Sequence, residues 1–561
     1  MEKKKGIIVD VVAKKIYEGE VEFDKGIITS VKKNVTLMSK IIEGTNTLDY
    51  LSSVKNGDVF ILPGFIDSHI HIESSMLSPS QFAKVAVKHG TVSTVSDPHE
   101  IANVLGIDGV KFMVEDGNRV PFKFFFGAPS CVPATSFETS GADLNAENLD
   151  KLISDFNLKY MSEMMNFPGV IYDDVEVMKK LGIAKKYGIP VDGHAPALSG
   201  ENLEKYASAG ITTDHESFTL DEAVEKIKLG IKLQIREGSA AKNFEALYKA
   251  IDLHPNDVML CSDDLHPDDL LEGHISKLVV RAIEKGMDFF NVICACTVNP
   301  VKHYNLNVGL LQTGDPADFI VVDDIKTMNI IQTYINGELV FDKGEVLIKT
   351  ENPAPLNKFE ADFITVEDIS VVNADKKINV IEAIEGELIT KKLVVEPKVE
   401  NNFIVSDTKN DILKIIVLNR YNKNSKPAVG FIKGFGLKKG AIASSIAHDS
   451  HNIIAMGTSD KEIILVVNRL IELKGGIVLS DEAGIFDLQL NIGGIMSNKS
   501  GIEVAEKYKF LNSKIKDLGC ELKAPFMTLS FMALLVIPEL KIGDKGLFDV
   551  LQFKPVSLFE N

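Results

Sequence analysis

The chain has 561 residues, 45% hydrophobic and 25% charged, and its 61 Lys and Arg against 79 Asp and Glu leave a net charge of −18. That length accommodates about three or four domains and large cores without staples. The acidic balance excludes a nucleic-acid or anionic-membrane binder, which needs Lys and Arg to neutralise phosphate, and suits an enzyme for a small neutral or cationic substrate.

Five scattered cysteines (Cys131, Cys261, Cys294, Cys296 and Cys520) read as reduced thiols of a cytoplasmic protein. After the basic start, the apolar run at Gly6–Ile8 is soon broken by Asp10, too short for a secretory leader. No stretch approaches the ~18 apolar residues of a membrane span.

Residues 1–60 alternate as short strands with a turn at Asp24-Lys25-Gly26, and similar material returns at 315–346. The two segments, 1–60 and 308–352, are expected to form one composite β domain with residues 61–307 inserted into it. The insert carries eight apolar strands that end in polar residues: "FIDSHIH", "TVSTVSDPHE", "FKFFFGAPS", "YMSEM", "PVDGHAP", "TTDHES", "KLQIREGS" and "VMLCSDD". Amphipathic stretches at 175–187, 201–209, 220–229, 241–252 and 269–285 lie between several of them. Eight β–α repeats in this span match a TIM (β/α)8 barrel, typically ~250 residues, with its chemistry at the carboxyl ends of the strands. Residues 355–561 read as a separate C-terminal α+β domain, with turns at Gly475-Gly476 and Gly493-Gly494. The expected fold class is therefore α/β.

His69 and His71 are two apart on the first strand, so both imidazoles face one side and can hold one metal ion. Asp67 shares that face, either orienting an imidazole or forming a strand-end turn. Further strand ends offer Glu163, His194, His215, and Asp263 beside Asp264. Imidazole with carboxylate suits Zn, Fe or Mn. Asp97 and His99, with Glu100, form another pair that binds metal, grips substrate or flanks a Pro98-initiated turn as solvated polar residues. Arg236 and Ser239 have substrate-gripping chemistry, and Arg236 reads equally as a rim ion pair. His274 and the other histidines carry no assigned role. The C-terminal His448-Asp449-Ser450-His451 cluster is a mouth cover, a subunit contact or a plain turn. No phosphate loop, G-x-S-x-G elbow, dinucleotide fingerprint or H-x-E with P-C-x-x-C is present.

A β segment, "ILPGFIDSHIH", a barrel and "TVNPVKHYNLNVGLLQTGDPADFIVVD" together resemble the amidohydrolase superfamily. Many of its members carry a carboxylated Lys on the fourth strand, where this chain has Glu163. With "HIESSMLSP", "DPHEIANVLG", "SEMMNFPGV", "DGHAP", "DHES" and "REGS", and with "SSIAHDSHNIIAMG", "GGIMS" and "PELKIGDKGLFD" near the end, the chain is similar to the microbial adenine deaminase family.

That resemblance implies two divalent metals per subunit and conversion of adenine and water to hypoxanthine and ammonia in purine salvage. It also implies a homo-oligomer, in the simplest case a homodimer. By position His69 and His71 hold one metal, Glu163 bridges both, and His194 sits on the second. Asp263 lies on the first metal as the base. His215 holds the second metal or polarises the attacked centre. Asp97, His99, Glu100, Arg236 and Asp264 are the expected substrate contacts. The alternatives are another cyclic amidohydrolase or a non-catalytic barrel used in assembly.

Overall fold

A computed structural model describes residues 1–35 and 59–560. The 36–58 part of the first β segment therefore lies outside the described residues. The strands Glu2–Asp10, Lys15–Asp24 and Ile27–Val35 form an antiparallel meander. Lys25 and Gly26 make the second turn with positive φ, 49° and 83°. Phe60–Pro63 pairs parallel with Glu2–Asp10 and antiparallel with Phe319–Val322, so both ends of the insert share one eight-stranded sheet.

Between them run Phe65–Ile70, Thr91–Ser96, Lys123–Phe126, Met161–Met164, Val191–Gly193, Thr213–Asp214, Lys232–Arg236 and Val258–Cys261. Each segment expected as a strand contains one of these. All their pairings are parallel. Single parallel bridges at Ala128–Met161 and Val191–Ile211 link the short sheets, and one at Ile70–Asp263 joins the last segment to the first. The order in space is thus the order in sequence, returning on itself.

The intervening helices follow their local chemistry. Val175–Tyr187 starts at Asp174, whose side chain accepts from the amides of Glu176 and Val177, and ends at Gly188 in the left-handed region. Two long amphipathic stretches are broken in the structure. Residues 241–252 become Phe244–Leu247 and Ala250–Leu253, and 269–285 divides at Gly273 into Pro267–Glu272 and Ile275–Glu284.

The C-terminal region is β-rich. Its eight-stranded sheet runs Thr390–Val395, Ile378–Ala383, Ala428–Lys433, Leu413–Leu418, Ile453–Gly457, Ala441–Ser444, Gly476–Asp481 and Gly484–Gln489 in spatial order. Helix Asp460–Leu473 lays Ile463, Val466, Val467 and Leu470 on Ile416, Ala443, Ile453 and Val478. Its i, i+3, i+4, i+7 spacing makes that one face. The largest apolar cluster continues from the parallel strands into this region, joining Ile101 and Val104 to Ile492, Ile495 and Met532. The seam is tight: a Cβ on Gly493 would sit 2.3 Å from Ile101. Among the described residues, no helix is long and apolar enough to cross a membrane.

Candidate metal centre

The carboxyl ends of the parallel strands converge on one buried polar cluster. His69 and His71 leave the first strand two residues apart, and the Ile70–Asp263 bridge brings the eighth beside them. His69, His71, Asp97, His99, Glu100, Glu163, His194, His215, Arg236 and Asp263 are each at most 6% exposed. Asp264 is partly buried and accepts from Ser74 Oγ at 2.5 Å.

Glu163 lies at the middle. Its Oε1 is 3.5 Å from His71 Nε2 and 3.6 Å from His99 Nδ1. Its Oε2 is 3.2 Å from His194 Nδ1, 3.1 Å from His215 Nε2 and 3.9 Å from His69 Nε2. Asp263 Oδ1 is 3.5 Å from His69 Nε2 and 3.2 Å from His71 Nε2. Its Oδ2 accepts from Arg236 Nη1 at 2.6 Å.

Burial pushes both carboxyls up, yet their neighbours win. His194 and His215 hold Glu163 well below the usual carboxylate range, and Arg236 with His215 does the same for Asp263. Two ionised carboxylates therefore sit side by side in a buried site. Burial likewise pulls His69 down, but Asp192 and Asp263 raise it to about 10. Burial and the adjacent Asp263 raise Asp264.

The donor chemistry fits cations. Both ring nitrogens of His69, Nε2 of His194, Nδ1 of His215 and Nδ1 of His99 are buried without a hydrogen-bond partner. Buried polar atoms are ordinarily paired, and leaving them unmatched is costly. Donor atoms lie within 4.8 Å of one another in His69–His71–Asp263, in His69–Glu163–His215, in His71–Asp97–His99–Glu163 and in His194–His215–Glu216. Such sets suit Zn, Fe or Mn.

The remaining expected residues lie within or beside this cluster. Asp97 Oδ1 accepts from the His99 amide at 3.0 Å, and Oδ2 is 3.2 Å from His99 Nδ1. Glu100 faces His448 and His451 of the C-terminal region. Their pull outweighs burial and keeps Glu100 well below the usual range. Arg236 is held by two carboxylates, Asp263 and Glu216, and only its Nε is free. Ser239 Oγ donates to Asp269 at 2.5 Å.

Asp67 does not hold an imidazole of the H-x-H pair. It accepts from the Ser262 amide and hydroxyl and lies 2.8 Å from His274 Nε2, tying the first strand to the eighth. The carboxylate nearest His69 Nδ1 is Asp192 Oδ2, at 3.9 Å. Sequence reasoning passed over Asp192 and Glu216, and it named His448 and His451 as a candidate mouth cover without pairing them with Glu100. Glu216 directly follows His215 in "DHES", and Asp192 lies two residues before His194 in "DGHAP", so both motifs held a second carboxylate.

Residues 60–340 match the model described as the amidohydrolase family, and the parallel strands with their cluster of histidines and carboxylates lie within that span. Residues 387–554 match the adenine deaminase C-terminal domain. Over 570 aligned residues the chain is 52% identical to the adenine deaminase of Methanosarcina barkeri (strain Fusaro / DSM 804), covering 100% of both chains. It is 50% identical to that of Sulfurovum sp. (strain NBC37-1), covering 96% of each, and 47% identical to that of Borreliella burgdorferi (strain ATCC 35210 / DSM 4680 / CIP 102532 / B31), covering 97% of each. The chain belongs to the adenine deaminase family.

Proposed function

We propose that this protein hydrolyses adenine to hypoxanthine and ammonia. The observation that carries the reading is Glu163, buried with Oε1 facing His71 and Oε2 facing His194, His215 and His69, in a chain about half identical to adenine deaminases along its whole length. Within that reading, the segments 65–264 form a (β/α)8 barrel spanning 61–307. Residues 1–60 and 308–352 form the composite β domain, and 355–561 the C-terminal domain.

Two divalent ions, Mn or Fe first and Zn as the third option, would be held by His69, His71 and Asp263, by His194 and His215, and by Glu163 between them. When bound, such ions supply the charge that lowers the pKa of a water from 15.7 to about 7. Asp263 takes the proton of the attacking water and passes it to the departing amine, acting as base and then acid. Arg236 fixes the Asp263 carboxylate for that transfer. A ring nitrogen must gain a proton as aromaticity breaks; it is the second proton of the attacking water, relayed by the ionised Glu163 carboxylate, with Glu100 behind it. His215 holds an ion or polarises the attacked carbon. Asp97, His99, Glu100, Arg236 and Asp264 line the substrate side. The working protein is cytoplasmic and a homo-oligomer, in the simplest case a homodimer.

The test is to reconstitute the protein with Mn or Fe and follow ammonia release from adenine beside adenosine and dihydroorotate. Release from adenine is the expected result. Release from dihydroorotate or adenosine in preference to adenine would overturn the reading.

A further inference from the structure

The C-terminal region closes on the site through residues 448–451. His448 Nδ1 meets Glu100 Oε1 at 2.6 Å, and His451 Nε2 meets Glu100 Oε2. The His448 ring stacks on Phe531 at 4.5 Å. Ser450 Oγ donates to Glu138, and Tyr421 Oη donates to the Ser450 carbonyl at 2.5 Å. A segment anchored at so many points is preorganised.

Asp449, between these anchors, is different. It is 2% exposed, and its Oδ2 has no hydrogen-bond partner. Its Oδ1 is 3.8 Å from His448 Nδ1, its Oδ2 is 3.9 Å from His99 Nε2, and the other nitrogen of the His99 ring is 3.6 Å from Glu163. The order is therefore Glu163, His99, Asp449. A buried carboxylate oxygen without a donor is expensive, which points to a donor brought by the ligand.

Adenine carries N–H groups in two places. Its exocyclic amine must reach Glu163 and Asp263, where it departs. Its other N–H belongs to the imidazole ring, on the far side of the purine. Asp449 is set back from Glu163 by the His99 ring, so a purine whose amine lies at Glu163 and whose long axis runs past His99 would turn its imidazole ring toward Asp449. We propose that Asp449 accepts the imidazole-ring N–H of adenine and so selects the free base over nucleosides, in which that nitrogen is substituted. The proposal rests on the adenine reading above.

Metal-reconstituted full-length protein and its Asp449→Ala and Asp449→Asn variants are assayed with adenine and 9-methyladenine. If the parent releases no ammonia from adenine, the deamination reading itself fails. If it does, Asp449→Ala is expected to raise KM for adenine about tenfold or more with kcat within about threefold, the scale of losing a hydrogen bond to a charged group. The parent should prefer adenine over 9-methyladenine by about a hundredfold, because a site built to pair with an N–H rejects an analogue lacking it. That preference should shrink about tenfold in Asp449→Ala. Asp449→Asn keeps an acceptor oxygen and should show a smaller rise in KM; if the Ala variant does not fold, the Asn variant decides. Unchanged KM for adenine, or unchanged discrimination against 9-methyladenine, in the folded variant overturns the proposal.

Discussion

Arg236 and Asp263 are locked together, Nη1 donating to Oδ2 at 2.6 Å, which leaves Oδ1 of the same carboxylate facing His71 and His69. The guanidinium also grips Glu216 through Nη1 and Nη2. Removing it strands two buried carboxylates, and breaking a buried pair costs about 3–5 kcal/mol. Arg236→Met should lower urea-unfolding stability by that order and cut kcat together with it. Arg236→Lys, which keeps the charge but not the fork, should recover part of both. A methionine variant as stable and active as the parent would show that the pair does neither job.

Asp263→Asn separates proton transfer from folding. Asparagine has the same size and keeps an oxygen toward His69 and His71, but it is a poor base. The expected result is a fall in kcat of about 10²–10⁴, the usual worth of general acid–base catalysis, with metal content by elemental analysis close to that of the parent. Near-full turnover in this variant would remove Asp263 from the role of base.

Chelation tests the donor set directly. With Glu163 and Asp263 held ionised in a buried site beside unpartnered imidazole nitrogens, a bound cation contributes to stability by mass action, roughly 3–4 kcal/mol at a hundred to a thousand times its Kd. Chelator-treated protein should lose activity and melt at a lower temperature, and both should return with added Mn, Fe or Zn. A melting temperature indifferent to chelator and metal would argue against a cation at Glu163.

The sequence showed the parallel strands clearly because each is a short apolar run ending in chemistry-bearing residues, and His69-x-His71 fixes two side chains to one face by period alone. Helix continuity was less legible. Gly273 breaks 269–285 where the apolar periodicity runs straight through, since an amphipathic pattern does not say whether its two halves share an axis. The role of Asp67 was hidden for another reason. Its partners, Ser262 and His274, lie about 200 residues away, and only the return of the eighth strand to the first brings them together. The same holds for Glu100, whose two imidazoles come from the C-terminal region. Local spacing announces ligands on a single strand, while pairings across the chain need the fold.

Lys541 gives a pH-dependent prediction remote from the metal centre. It is fully buried with no carboxylate beside it among the described residues, and its ammonium donates to the carbonyls of Leu388 at 2.7 Å and Phe531 at 3.0 Å. Burial pulls its pKa from 10.5 down to about 7. Between those two values the unfolded chain holds the proton and the folded chain does not, so stability rises with pH across that window. Below pH 7 both states are charged, and the full cost of burying the ammonium is present. Lys541→Met also loses the two hydrogen bonds to carbonyls, but that loss does not depend strongly on pH. The parent should therefore gain on Lys541→Met by a few kcal/mol between pH 6.5 and 9.5 in urea unfolding. A difference that stays flat over that range would mean that the two carbonyls are enough to keep the buried amine charged.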